Sequence, residues 1–115
     1  MIGININDKY EPFTEMIFSG EKTIETRKTP SLNPYIGQRV GIIKTGKGKA
    51  VLVGFATIGK PVHYETEESF RKDESKHCVL KGSKYDNGKF GYPIINPVSI
   101  EPKYINSKGI VARQI

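Results

Sequence analysis

Hydrophobic positions along the chain fall into short runs of two different periods. Ile2, Ile4 and Ile6 alternate with polar residues, so Met1–Ile6 predicts a strand with one buried face. Phe13, Met16 and Ile17 follow at helical spacing up to Ser19. Pro12 stands where a first helical turn tolerates it, and Gly20 supplies the stop. Thr23–Lys28 is β-branched and alternating, which predicts a strand straight after that stop. Thr29–Tyr35 carries two prolines and an asparagine and predicts a loop. Arg39–Lys44 and Lys49–Ile58 predict strands joined by the turn Thr45-Gly46-Lys47-Gly48. The second of these is expected to run on towards Tyr64, bent at Gly54 and Gly59. Thr66–Lys72 predicts a short helix with Thr66 as its N-cap and Glu67 and Glu68 in the first turn, where the helix dipole favours carboxylates. Residues 80–91 are polar and glycine-rich and predict a loop, and Tyr92–Ile100 and Ile110–Ile115 predict closing strands.

About six strands around one main helix, with one or two short helices, do not supply the alternating units of a doubly wound α/β fold. The pattern predicts an α+β, mainly β domain: a small, strongly curved sheet or barrel with a helix against one side. No repeat, low-complexity tract or linker interrupts it, so residues 1–115 are expected to form a single domain.

Composition narrows the functional classes. An apolar fraction of 37% allows a modest core. No run approaches the roughly 20 apolar residues of a spanning helix. The N-terminus lacks the pattern of a signal peptide and there is one cysteine, Cys78, so the expectation is a cytoplasmic protein without a disulfide and without a membrane partner. The balance of 18 basic against 12 acidic residues gives +6 and favours anionic partners, nucleic acid first among them. The charge is spread evenly, nine basic residues in 1–60 and nine in 61–115, so it marks no basic tail.

Most chemistry-bearing residues have an ordinary structural explanation. Gly46–Lys49 lacks the Lys-Ser/Thr ending of a phosphate loop. His63, His77 and Cys78 have no metal-ligand spacing, so no metal and no cofactor is expected. Nothing marks Cys78 as a lowered-pKa nucleophile, and it fits a small buried residue. Tyr85, Phe90 and Tyr92 fit core positions, although Tyr92 beside Gly91 would also suit stacking on a base.

The segment Gly20-Glu21-Lys22-Thr23-Ile24-Glu25-Thr26-Arg27 is different. It sets Lys22, Glu25 and Arg27 at a helix-to-strand corner. On a strand, Glu25 and Arg27 share one face while Ile24 and Thr26 take the other. Two consecutive same-face charges point either to solvent or into a polar pocket where each finds a partner. The alternation leaves the direction of Lys22 open.

Gly20-x-Lys22-x-x-Glu25-x-Arg27 resembles the G-x-K-x-x-E-x-R signature of ASCH domains, relatives of the PUA RNA-binding fold. Pro12-Phe13 resembles the proline-aromatic start of the family's preceding helix. Ile36-Gly37-Gln38-Arg39-Val40 resembles its glycine turn, and Gly88-Lys89-Phe90-Gly91-Tyr92 resembles the start of a late strand, with Pro102 and Gly109 following in order. The late aromatic often found near the C-terminus of the family is replaced by Ile110-Val111-Ala112.

The resemblance implies a small PUA-like β-barrel with a cleft lined by Lys22, Glu25 and Arg27. It implies binding of RNA or of a nucleotide or modified nucleoside, with Tyr92 as a base-stacking residue. Some members are hydrolases, among them 4-acetylcytidine amidohydrolases and enzymes that cleave RNA. The deacetylating group uses the signature lysine, a threonine three residues later and a mid-chain glutamate. Here Glu25 occupies the threonine's place, and the mid-chain glutamate would be Glu67, Glu68 or Glu74.

A lysine acting as general base near neutral pH must fall from about 10.4 to roughly 7–8. A neighbouring carboxylate opposes that fall, so Lys22 beside Glu25 is expected to stay protonated and to serve as a contact. Catalysis would then pass to Glu25 as base with Lys22 stabilising an oxyanion. A module that binds another protein is the third class, and it predicts function without Lys22, Glu25 and Arg27.

Overall fold

The computed structural model describes residues 1–80 and 88–115. It is a small α+β protein, mainly β, built on a curled half-barrel sheet. The strands are β1 (Ile2–Asn7), β2 (Ile24–Arg27), β3 (Arg39–Thr45), β4 (Val51–Ile58), β5 (Val62–His63), β6 (Phe90–Tyr104) and β7 (Ala112–Gln114). The helices are α1 (Phe13–Ser19), α2 (Glu67–Lys72) and α3 (Glu74–His77), with a 3-10 turn at Asn33–Tyr35. The sheet order is β2-β6-β4-β3-β1-β7, with β5 pairing off β6. β1 and β3 are parallel and the other pairs antiparallel.

The alternation of β1 works as its sequence suggests. Ile4 and Ile6 are fully buried and join Ile17, Leu32, Val40, Ile42, Ala56 and Ile58 in one core. Burying each such aliphatic side chain contributes about 2 kcal/mol relative to exposure. Helix α1 closes over this core and is fixed at both ends. The carboxylate of buried Asp8 accepts from the Thr14 backbone N–H (3.1 Å) and from the Thr14 hydroxyl (2.5 Å). Gly20 ends the helix with φ of 86°, a left-handed conformation that glycine adopts without a Cβ penalty. The chain turns there into β2.

Several boundaries differ from the sequence expectation. The strand expected at Tyr92–Ile100 runs from Phe90 to Tyr104, through both Pro97 and Pro102. It does so because it bulges: Phe55 and Thr57 of β4 face Val98 and Ile95, and Leu52 and Gly54 face Lys103 and Ser99. β6 thus spends one extra residue around Pro97 and two around Pro102, where a missing N–H costs the ladder nothing. The chain after Ile58 does not extend β4 to Tyr64. It breaks at Gly59 to Pro61, and β5 pairs with β6 instead. Helix α3 has no counterpart in the sequence reading. Of the loop expected at 80–91, residues 81–87, with Tyr85, lie outside the described residues.

Among the described residues no helix is long and apolar enough to cross a membrane.

Candidate functional site: an ion-paired seam between two sheet edges

β2 is one edge of the sheet, and curling brings it towards β1 near the opposite edge. The end of β2 is joined to β1 by a side chain: Arg27 Nη2 donates to the Asn5 carbonyl at 2.6 Å. The same nitrogen lies 3.1 Å from Glu25 Oε2, while Glu25 Oε1 lies 3.5 Å from Lys22 Nζ. The three charges of the 20–27 segment therefore form one row, Lys22–Glu25–Arg27, rather than fanning out. Arg27 Nε is buried with no hydrogen-bond partner among the described residues.

The three members have unequal access. Lys22 is 1% exposed. Its ammonium donates to the carbonyl of His77 at the C-terminal end of α3 (2.5 Å) and sits 4.5 Å from the Phe13 ring centroid. Glu25 and Arg27, by contrast, help line a cavity of about 560 Å³ in the seam, with Asn5, Thr45 and Arg113 on its other walls. Asn5 organises that far wall: its side-chain amide donates to the carbonyls of Gly109 and Ile110, its Oδ1 accepts from Arg113 Nε (2.9 Å), and Arg113 Nη1 donates to Ser107. Two guanidiniums, one carboxylate and two asparagines, Asn5 and Asn7, thus meet in one hollow.

Burial holds the Lys22 ammonium below the ordinary lysine value of 10.5, with Glu25 pulling the other way. Glu25 opposes the fall, as expected of a neighbouring carboxylate, without cancelling it. The pair does form, but desolvation of a side chain closed off from water is the larger effect.

Tyr92 also departs from expectation. Its ring is fully buried in the core, and its hydroxyl donates to Asn33 Oδ1 at 2.7 Å. In this conformation it offers no face to a base. Glu67 and Glu68 stand exposed on α2, with Glu68 3.6 Å from Lys72, and Glu74 pairs with Arg71 at 2.9 Å. None of these three glutamates lines the seam cavity.

His77 is enclosed, with both ring nitrogens bound to the backbone. Nδ1 accepts from the Val79 N–H (3.0 Å), so Nε2 carries the proton and donates to Phe70 O (2.8 Å). Burial lowers its pKa from 6.5, and its engaged ring nitrogens leave no lone pair for a metal; burial also pushes the Cys78 thiol up, which does not suit nucleophilic attack. Among the described residues no group of three His, Cys, Asp or Glu side chains could hold a metal ion.

The sequence reading did not find Asn5, Asn7, Thr45 or Arg113. Asn5 and Asn7 did carry a signal, since asparagine is depleted in strands and here takes the face opposite the isoleucines of β1. Arg113 carried none, because only the long-range pairing of β7 with β1 brings it there.

The fold and the seam define a mainly β half-barrel with a polar, doubly cationic cleft. No protein-family model matches the chain, and no curated protein matches it significantly.

Proposed function

We propose that the chain is an ASCH-type, PUA-like domain that binds RNA or a modified nucleotide at the seam between β1 and β2, in the cytoplasm. The observation that carries this reading is the seam cavity, where Arg27 and Arg113 stand with Glu25 and Asn5. Guanidiniums present forked donors that suit phosphate. A carboxylate accepts from the amino group of cytosine, and an asparagine amide can pair with a base edge. The volume falls within the roughly 300–1,000 Å³ of small-ligand sites. The charge of +6 favours the same partner.

In this reading Arg27 and Arg113 contact phosphate, Glu25 reads the base, and Lys22 holds Glu25 in place from beneath. Titration of nucleoside monophosphates and short single-stranded RNA across a salt series tests it. Log affinity for RNA should fall by about 0.7 per log salt for each phosphate neutralised. Arg113→Gln should weaken both ligands at least about tenfold, the equivalent of one lost charge-assisted hydrogen bond. Absent binding, or binding indifferent to salt and to Arg113→Gln, would overturn the reading.

One observation favours hydrolysis as a second reading: a lysine held below its ordinary pKa touches a carboxylate on the cavity wall. Glu25 would act as general base on a bound amide or phosphodiester, with Lys22 supporting it. Release of acetate from 4-acetylcytidine, abolished by Glu25→Gln in folded protein, would establish it. No release across the pH range would leave binding alone.

A further inference from the structure

A second concave surface lies across β3 from the seam. Thr45 lines the seam cavity and its neighbour Lys44 lines a separate groove of about 350 Å³. Successive side chains on a strand leave opposite faces, so the two hollows occupy opposite sides of the strand. In the groove, Lys44 is paired with Val51 and Val51 with Tyr104, across three adjacent strands. Their side chains therefore stand abreast, with Val53 and Pro102 forming an apolar floor beside them.

Tyr104 is 70% exposed, which is unusual for a ring in a strand. Lys49 Nζ stands 5.8 Å from its centroid, and Lys47 reaches the groove from the β3–β4 turn. Among the described residues no carboxylate pairs with Lys44, Lys47 or Lys49. Lys44, Val53 and Pro102 also line a neighbouring hollow that reaches Glu15 and Phe18 of α1, so the cationic part of the groove is its Lys44–Tyr104 end.

We infer that this groove is a second contact surface for single-stranded RNA, resting on the RNA-binding reading of the seam. One base lies against Tyr104, its edge over Val51 and the floor of Val53 and Pro102. The phosphates on either side of that base meet Lys44, Lys47 and Lys49. A largely exposed ring beside ammonium groups that have no carboxylate partner is the pairing that sequence-tolerant strand binding uses, since every base has a π-face and every nucleotide a charge. An acidic peptide would engage the lysines but would leave the flat face of Tyr104 without a matching group.

The test is fluorescence anisotropy with an oligouridylate of about ten nucleotides, an abasic oligomer of equal length and uridine monophosphate. Tyr104→Ala should weaken oligouridylate by roughly 5- to 100-fold, and Tyr104→Phe should restore it, because stacking needs the ring and not the hydroxyl. The abasic oligomer should be indifferent to Tyr104. The double variant Lys47→Ala/Lys49→Ala should reduce the salt slope by about 1.4, the share of two phosphates. Uridine monophosphate, held in the seam, should bind all these variants like the parent protein. Oligouridylate binding unchanged in both the Tyr104→Ala and the double lysine variants would overturn the groove proposal, even with Arg113→Gln still impaired. Tyr104-dependent capture of polyglutamate in preference to oligouridylate would overturn it in favour of an acidic-peptide surface. Failure of the parent protein to bind either nucleotide ligand would overturn the seam reading first, and the groove proposal with it.

Discussion

Glu25 offers one carboxylate to two cations, at 3.5 Å from Lys22 and 3.1 Å from Arg27. With Lys22 only 1% exposed, no solvent replaces that carboxylate if it is lost. Removing one partner of a buried pair costs about 3–5 kcal/mol, whereas replacing both with apolar groups is often near neutral. Glu25→Gln is therefore expected to destabilise the protein by about 3 kcal/mol, and Lys22→Met added to it should recover much of the loss. A urea double-mutant cycle measures this, and strictly additive effects would mean that the pair is not coupled. The spacing of Lys22, Glu25 and Arg27 was legible in the sequence because a strand's alternation is local. The inward turn of Lys22 was not, because it depends on the carbonyl of His77, 55 residues away. Tyr92 misled for the same reason: its burial is decided by the elements that pack around its ring.

Among the elements, α3 was invisible because a single turn of four residues carries no periodicity. It exists because His77 clips it in place. The ring binds Phe70 of α2 and the N–H of Val79, stacks on Phe70 at 4.2 Å, and the residue's own carbonyl holds Lys22. One neutral imidazole thus holds the unit α2–α3 together, and the carbonyls of Lys76 and His77 tie it to Thr23 and Lys22 at the start of β2. Around it stand Lys22, Arg71 and Asp73, the first two opposing protonation and the last favouring it. The folded-state pKa lies below 6.5, so on acidification the unfolded chain takes up this proton first. The stability linked to His77 is full above the unfolded value and is lost as pH falls through the folded one. The urea midpoint should drop as pH falls below about 7, and His77→Gln should flatten that slope while lowering the plateau. An unchanged slope in the variant would assign the dependence to other groups. β6 makes the complementary point: it outruns the predicted Tyr92–Ile100 at both ends, and bulges carry it past Pro97 and Pro102.

At the scale of the whole molecule, the alternating segments and glycine stops were enough to give a curved, mainly β sheet with a helix against it. The seam was beyond them. Residue 113 reaches residue 5 through the pairing of β7 with β1, and residue 27 joins them only because the order β2-β6-β4-β3-β1-β7 curls its two ends together, relations that no local pattern encodes. The half-barrel has no backbone ladder between β2 and β1 in that order, so Arg27 stands in for one with its bond to Asn5 O. A hydrogen bond from a charged donor contributes about 1.5–3 kcal/mol. If the seam opens locally rather than with the global unfolding of the sheet, Arg27→Ala should raise amide exchange in Ile24–Arg27 by roughly 10- to 100-fold, from that energy. Exchange in β3 and β4, which pair on both sides within the sheet, should rise far less. A nucleotide bound in the seam should suppress the β2 exchange of the parent protein, because it would bridge the same two edges that Arg27 joins. Uniform acceleration across all strands would mean instead that Arg27 supports the fold as a whole and that the cleft has no independent hinge.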